Sequence, residues 1–174
     1  MKIVQTNKEN PVLIYDTSAF IGGMDPQAIQ IPQWTIPESL EEIRNKNTKE
    51  ILQMAIKTGR MKLRAPSQQS IEKIKEAIKK TGDYSKLSLV DIKILALALD
   101  FKNEQWYPII MTDDYSIQNV ASSLKIEYKS ITERGIRSQL RWKVICPGCS
   151  TEYPVETTLK KCEICGTKLK RKSY

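Results

Sequence analysis

The first clear pattern in the chain is a short apolar run. Val12-Leu13-Ile14-Tyr15 follows Pro11 and stops at Asp16. An apolar run of this length between breakers predicts a buried strand. Ala19-Phe20-Ile21 comes next and is broken by Gly22-Gly23. Thr35-Ile36 predicts a second short strand leading into Pro37. Proline suits the first turn of a helix, and Glu38, Glu41 and Glu42 are favourable near its N-terminus. The helical pattern continues through Ile51 to Ile56 and stops near Gly59. Residues 61–65 predict another strand. After Ser67, the spacing of Ile71, Ile74 and Ile78 predicts a helix with one buried face, ended by Gly82-Asp83. Ser88 opens the strongest helical pattern, carried by Leu89, Ile92, Leu95, Ala96 and Leu99. Residues 108–111 read as a second buried strand, ending at Thr112-Asp113-Asp114. A helix over 115–124 and a strand over 126–128 complete the series. Short apolar strands alternating with helices predict an α/β domain with a mainly parallel sheet flanked by helices.

Composition adds limits. The 174 residues are 40% hydrophobic and 28% charged, which suits one medium globular domain plus a small appendage. The expected division is a main domain over 1–133, a linker over 134–141 and a small module over 142–174. No apolar run approaches the roughly 20 residues that span a bilayer. The N-terminal MKIVQTNKENP has no signal-peptide core. A cytoplasmic protein without membrane contact is expected. The formal charge of +8 is unevenly placed: residues 134–174 hold ten Lys/Arg against three Glu, and residues 1–133 carry only +1. A concentrated basic segment points to a polyanion, most often nucleic acid, or else to a solvated Lys-rich surface. The chain has no histidine. This excludes Ser-His-Asp and Cys-His catalysis and every histidine-liganded metal site.

All four cysteines fall in one window. Cys146-Pro-Gly-Cys149 is followed, twelve residues on, by Cys162-Glu-Ile-Cys165. Each Cys-x-x-Cys pair makes a knuckle that turns two thiolates toward one cation, and two knuckles complete a tetrahedral sulfur shell. A structural Zn²⁺ ribbon is the expected outcome, with no open ligand position for catalysis. Two disulfides, a redox pair or an Fe–S cluster are the alternatives offered by the same residues. The module also carries Lys143, Lys160, Lys161, Lys168, Lys170, Arg171 and Lys172, with Arg141 just before it. Trp142 and Tyr153 lie among these cations, where they would stack on bases or simply pack a small core.

Acidic residues mark the ends of the predicted elements. Asp16 ends the first strand and Asp113-Asp114 a later one, and open α/β sheets bind ligands beyond such ends. Glu42 and Asp91 lie near the starts of two helices. Each has a plain alternative. Asp16 can cap the turn at Thr17-Ser18, and Glu42 can pair with Lys46. Asp91 fits a capping box with Ser88, and Asp114 can cap the helix at Tyr115. Four acids at element ends, in a chain without histidine, suit a carboxylate-bound Mg²⁺ or Mn²⁺. Such a site activates water and neutralises a phosphoryl transition state, which makes a metal-dependent phosphodiesterase the expectation.

These segments resemble known motifs in order. Ile14-Tyr15-Asp16-Thr17-Ser18-Ala19-Phe20 is similar to the opening strand of PIN-domain nucleases. Thr35-Ile-Pro-Glu-Ser-Leu-Glu-Glu42-Ile43-Arg44, Leu87-Ser-Leu-Val-Asp91 and Met111-Thr112-Asp113-Asp114-Tyr115 resemble their second, third and fourth motifs. With a zinc ribbon directly behind, nearly the whole chain resembles the compact archaeal form of the Nob-type ribosome-assembly endonucleases. The resemblance implies a PIN-type sheet plus a C-terminal Cys₄ ribbon. It implies an endoribonuclease maturing the 3′ end of precursor small-subunit (16S) rRNA, leaving a 5′-phosphate and a 3′-hydroxyl. Mn²⁺ or Mg²⁺ would be held by Asp16, Glu42, Asp91 and Asp114. Asp113, Thr112 and Ser18 are additional candidates, the last two for orienting a ligand or water. The ribbon's cations would grip RNA. The partners implied are the precursor rRNA, the pre-ribosomal small subunit and assembly-factor proteins. Two alternatives are a toxin-like PIN ribonuclease with another RNA target and a non-catalytic rRNA-binding assembly factor. An aspartyl-phosphate enzyme would want Asp-x-Asp where this chain has Asp16-Thr17-Ser18.

Overall fold

A computed structural model describes residues 9–81, 87–131 and 142–173. Strand β1 (Pro11–Tyr15) forms where the first apolar run predicts it. Its alternation sends Val12 and Ile14 to one face of the sheet and Leu13 and Tyr15 to the other, so both faces need cover. The helices α1 (Thr17–Ile21) and α3 (Lys46–Lys57) lie on the Leu13 side. The helices α4 (Gln68–Thr81), α5 (Leu89–Asn103) and α6 (Tyr115–Ser123) cover the Val12 side.

Four further strands complete a parallel sheet: β2 (Gln33–Thr35), β3 (Met61–Leu63), β4 (Tyr107–Met111) and β5 (Glu127–Lys129), in the order β3-β2-β1-β4-β5. The chain builds outward from β1 to β3, then returns to the other side of β1. The switch point therefore lies between β1 and β4. They pair over five residues, from Pro11 with Tyr107 to Tyr15 with Met111. This register brings Asp16 and Thr112–Asp114 out at the same edge.

Three local readings are corrected. The helical stretch expected to run from Pro37 to Ile56 is two helices, α2 (Pro37–Glu42) and α3. Ile43 leaves helical geometry as it is buried, and the Asn45 side chain accepts from Thr48 N at 3.1 Å to start α3 afresh. Lys46 pairs with Glu50 in α3, and not with Glu42. The second strand lies at Gln33–Thr35, and Ile36 becomes the residue before α2. A 3₁₀ turn over Pro26–Ala28, capped by Asp25, has no counterpart in the sequence reading. Gly82-Asp83 and the 134–141 linker lie outside the described residues. In the cysteine module, β6 (Trp142–Ile145) pairs antiparallel with β7 (Glu152–Tyr153) and β8 (Lys170–Ser173). Among the described residues, no helix is long and apolar enough to cross a membrane.

A buried carboxylate locks α4 to α5. Asp100, near the end of α5, accepts from Ser67 N and Ser67 Oγ at 2.7 Å and from Ser70 Oγ at 2.6 Å. It thereby caps the start of α4 from another helix. Burial alone would raise its pKa, but the Ser70 and Ser67 bonds and the Arg64 charge outweigh it and leave the carboxyl below its ordinary value. A depressed carboxyl pKa contributes stability above the unfolded value that is lost as pH falls through the folded one. Asp100→Asn is expected to cost about 1.5–3 kcal/mol at pH 7. Its deficit relative to wild type should shrink below pH 4 in denaturant titrations. An equal deficit at pH 3 and pH 7 would contradict this role.

Candidate active site and metal centre

Asp16 leaves β1 and becomes the N-cap of α1. Its Oδ1 accepts from Thr17 N at 2.6 Å, and its Oδ2 accepts from Ser18 Oγ at 2.6 Å and Thr112 Oγ1 at 2.9 Å. The carboxylate is 4% exposed and held by three donors, so its direction is fixed. Ser18 and Thr112, expected to orient a ligand or water, are turned onto Asp16. Thr112 Oγ1 also accepts from Asp114 N at 3.1 Å, which couples the two acids through one hydroxyl.

Asp114 is the N-cap of α6 and accepts from Ser116 N at 2.6 Å. Asp91 and Ser88 form a reciprocal capping box at the start of α5, with Ser88 N donating to Asp91 Oδ2 at 2.7 Å. Glu42 closes α2 and accepts from Thr17 Oγ1 at 2.9 Å. Three of the four acids are thus helix caps, and capping and clustering coexist in the same side chains. The positive end of each helix favours a carboxylate there.

Two of the acids act on a third. Burial, then the charges of Asp16 and Asp114 against its own bonds to Ser88, pushes Asp91 up to about 6. Glu42 enters through Thr17, whose backbone N–H serves Asp16 while its hydroxyl serves Glu42. The sequence reading passed over Thr17 as a site residue. Its signal was a hydroxyl directly after the first acid. Asp113 is turned elsewhere: its Oδ1 accepts from Ser130 Oγ and, at 2.8 Å, from Ile131 N. It fastens the segment after β5. One turn before Glu42, Glu38 pairs with Lys93, which holds its carboxyl below the usual range.

Asp91, pushed up by its burial and by the charges of Asp16 and Asp114, belongs to a set of hard oxygen donors at one edge, which fits a divalent ion of the Mg²⁺ or Mn²⁺ kind. The tighter set is in the other module. The Sγ atoms of Cys146, Cys149, Cys162 and Cys165 all lie within 4.8 Å of one another, the one such group of three or more ligands among the described residues. Cys146 and Cys165 stand 3.3 Å apart and Cys149 and Cys162 3.4 Å apart, as free cysteines. A tetrahedral zinc shell with bonds of about 2.3 Å has edges of about 3.8 Å, so small shifts would complete it.

The two knuckles repeat one another. Ser150 N donates to Cys146 O and Gly166 N to Cys162 O, both at 2.9 Å. Cys146 N donates to Thr151 O and Cys162 N to Thr167 O. Both Ser150 (φ 60°) and Gly166 (φ 73°) take the left-handed conformation that closes the turn. At Gly148 a Cβ would meet Thr167 Oγ1 at 2.7 Å and Cys165 Sγ at 3.3 Å, so the first knuckle admits only glycine there without movement of the second. Tyr153, read as a stacking or packing aromatic, instead donates its hydroxyl to Cys162 Sγ at 3.1 Å and accepts from Glu163 N at 3.1 Å. That bond pulls the Cys162 thiol down to about 6, toward the thiolate a metal requires.

Of the expected RNA-contact residues, Lys143, Lys170 and Lys172 share one face of the small sheet, because Lys143 pairs in register with Lys172 and Ile145 with Lys170. Lys143 also pairs with Glu152. Arg171 points to the opposite face. Exposed Lys161 and Lys168 are bridged backbone neighbours, and Lys160 is exposed beside them. Arg141 lies outside the described residues.

A family model described as the PIN domain of ribonuclease matches residues 13–101, a span that takes in Asp16, Glu42 and Asp91. The fold is thereby that of a PIN-domain ribonuclease. Over 92% of its length the chain is 43% identical to Endoribonuclease Nob1 of Methanocaldococcus jannaschii, covering 77% of that protein. It is 35% identical to Endoribonuclease Nob1 of Methanothermobacter thermautotrophicus over 92% of both chains. Ribonuclease VapC3 of Aeropyrum pernix matches at 34% identity over 71% of this chain and 88% of that protein. The chain belongs to the Nob1 endoribonuclease family, and it is an endoribonuclease.

Asp91 generates the test. A raised carboxyl pKa means full stability below the unfolded value near 4 and a penalty that grows as pH rises through about 6. Asparagine keeps the acceptor for Ser88 N and removes the charge. In zinc-loaded protein free of other divalent ions, Asp91→Asn is expected to be more stable than wild type at pH 7.5 by about 1 kcal/mol, after discounting for solvent screening. At pH 4 the gain should vanish. Lower stability at pH 7.5 in thermal melts would contradict the raised Asp91 pKa.

Proposed function

We propose that this endoribonuclease matures precursor small-subunit rRNA at its 3′ end, using Asp16, Glu42, Asp91 and Asp114 to hold Mn²⁺ or Mg²⁺. The observation that carries the reading is the register of β1 with β4, which brings Asp16 and Asp114 out at one edge, where their charges reach Asp91. When bound, the cation supplies water activation and charge neutralisation at the scissile phosphate. The chain's own groups do the rest. Thr17 N, Ser18 Oγ and Thr112 Oγ1 aim Asp16, and Thr17 Oγ1 aims Glu42. Ser88 N holds Asp91, and α6 holds Asp114. The products are a 5′-phosphate and a 3′-hydroxyl.

In this reading residues 1–133 form the nuclease unit, 134–141 the linker and 142–174 a ribbon that binds Zn²⁺ through its four cysteines. Arg141, Lys143, Lys160, Lys161, Lys168, Lys170, Arg171 and Lys172 are the cations proposed to grip the RNA backbone. One fact supports a polyanion there. Exposed Lys161 stands opposite exposed Lys168, and like charges across strands repel until an anion neutralises them. The pre-ribosomal small subunit and its assembly factors are the partners, and the cytoplasm is the place. The toxin-like alternative is disfavoured by relatives named Nob1 that align over 161 residues, more than the sheet domain holds. The non-catalytic alternative is disfavoured by the complete acidic set.

The test is cleavage of a labelled RNA spanning the 3′ end of pre-16S rRNA in Mn²⁺. Wild type should give one discrete cut, and Asp16→Asn should be slower by about 100-fold or more with its fold intact. Equal cutting by both would remove the pocket from the chemistry. Tight binding of this RNA without cutting by either would favour the assembly-factor alternative.

A further inference from the structure

Helix α2 carries Glu42, and its six residues are too few to hold their own orientation. The residue before it, Ile36, offers no side-chain cap. Its place is therefore set by tertiary ties, three of which join side chains among the described residues. Thr35 Oγ1 donates to Ser39 Oγ at 3.1 Å, which ties α2 to β2. Thr17 Oγ1 donates to Glu42 and ties it to α1. Lys93 Nζ donates to Glu38 Oε1 at 2.5 Å, the one ion pair among the described residues that joins α2 to α5.

Both ends of that pair lie close in sequence to acids of the pocket. Glu38 and Glu42 are four residues apart and share one face of α2. Lys93 follows Asp91 by two residues in the opening of α5. The pair is not an ordinary surface contact: the side chains are 34% and 32% exposed, and the second carboxylate oxygen, Glu38 Oε2, is buried without a partner among the described residues. Glu38 thus depends on Lys93 for its main compensation. Without it, a half-buried carboxylate would move toward water and carry α2 with it.

We propose that the Glu38–Lys93 pair is a brace between α2 and α5 that sets the gap between Glu42 and Asp91, so that both residues position the cation-binding acids without touching the cation. This rests on the reading of those acids as the ligands of a divalent ion. The brace makes a demand that charge alone does not. If Lys93 and Glu38 acted on the pocket only through their charge, removing the lysine would tighten cation binding and neutralising the glutamate would loosen it. A brace is broken from either end. Lys93→Met and Glu38→Gln both weaken binding, and the exchanged pair Glu38→Lys with Lys93→Glu restores it.

The experiment is a Mn²⁺ titration of the full zinc-loaded chain, read by the loss of free-ion EPR signal well below the melting temperature of each variant. Asp16→Asn is the control that identifies the acidic pocket. Lys93→Met and Glu38→Gln should each bind Mn²⁺ about tenfold more weakly than wild type, the size of effect expected from groups that orient metal ligands. The exchanged pair should recover most of the loss. Wild-type affinity in both single variants, with Asp16→Asn defective, would overturn the brace and leave the pocket standing. Tighter binding by Lys93→Met with weaker binding by Glu38→Gln would also overturn it, because the pair would then act through charge. Wild type and Asp16→Asn binding alike would overturn the pocket reading, and the brace with it.

Discussion

The parallel pairing of β1 with β4 is the constraint on which the acidic edge depends. Tyr15 stands in register with Met111, and Asp16 N donates to Met111 O at 3.1 Å as the strands end. From that point Thr112 reaches back to Asp16, and Asp114, two residues further on, caps α6. A slip of one residue would turn Thr112 to the other face and break its bond to Asp16. The alternating burial of β1 resists such a slip, because Val12 and Ile14 pack under α4, α5 and α6 while Leu13 and Tyr15 pack under α1 and α3. The core therefore fixes the register, and the register fixes the site.

Much of this was legible in the chain. The two apolar runs bounded by Asp16 and by Thr112–Asp114 marked both central strands and the edge where these acids emerge. The cysteine spacing marked the ribbon. Capping and clustering, set out as alternatives from the sequence, meet in the same side chains. Asp16, Asp91 and Asp114 each cap a helix, and Asp91 also feels the charges of the other two. Helix N-termini aimed at one sheet edge need capping acids, and capping acids gathered at one edge attract a cation.

What stayed hidden depends on distance along the chain. Glu38 meets Lys93 across 55 residues, and Ser67 meets Asp100 across 33. No local periodicity encodes such pairs. The break between α2 and α3 was hidden for a different reason. Helical spacing continues through residues 43–45, and burial of Ile43 with the Asn45 cap overrides it. Tyr153 was expected to stack on bases or to pack the small core, and what the sequence did not announce is that its hydroxyl is committed to Cys162 and Glu163.

The two modules divide the work by donor chemistry. Soft thiolates in a closed shell suit a cation that shapes the ribbon, and hard carboxylates at an open sheet edge suit one that meets a phosphate. Anomalous diffraction from crystals soaked in Mn²⁺ examines the second half of that claim most directly. The expected result is a Mn²⁺ peak bounded by Asp16, Asp91 and Asp114, with Glu42 on its α2 side. Ordered Mn²⁺ elsewhere on the chain, with none at the β1–β4 edge, would contradict it.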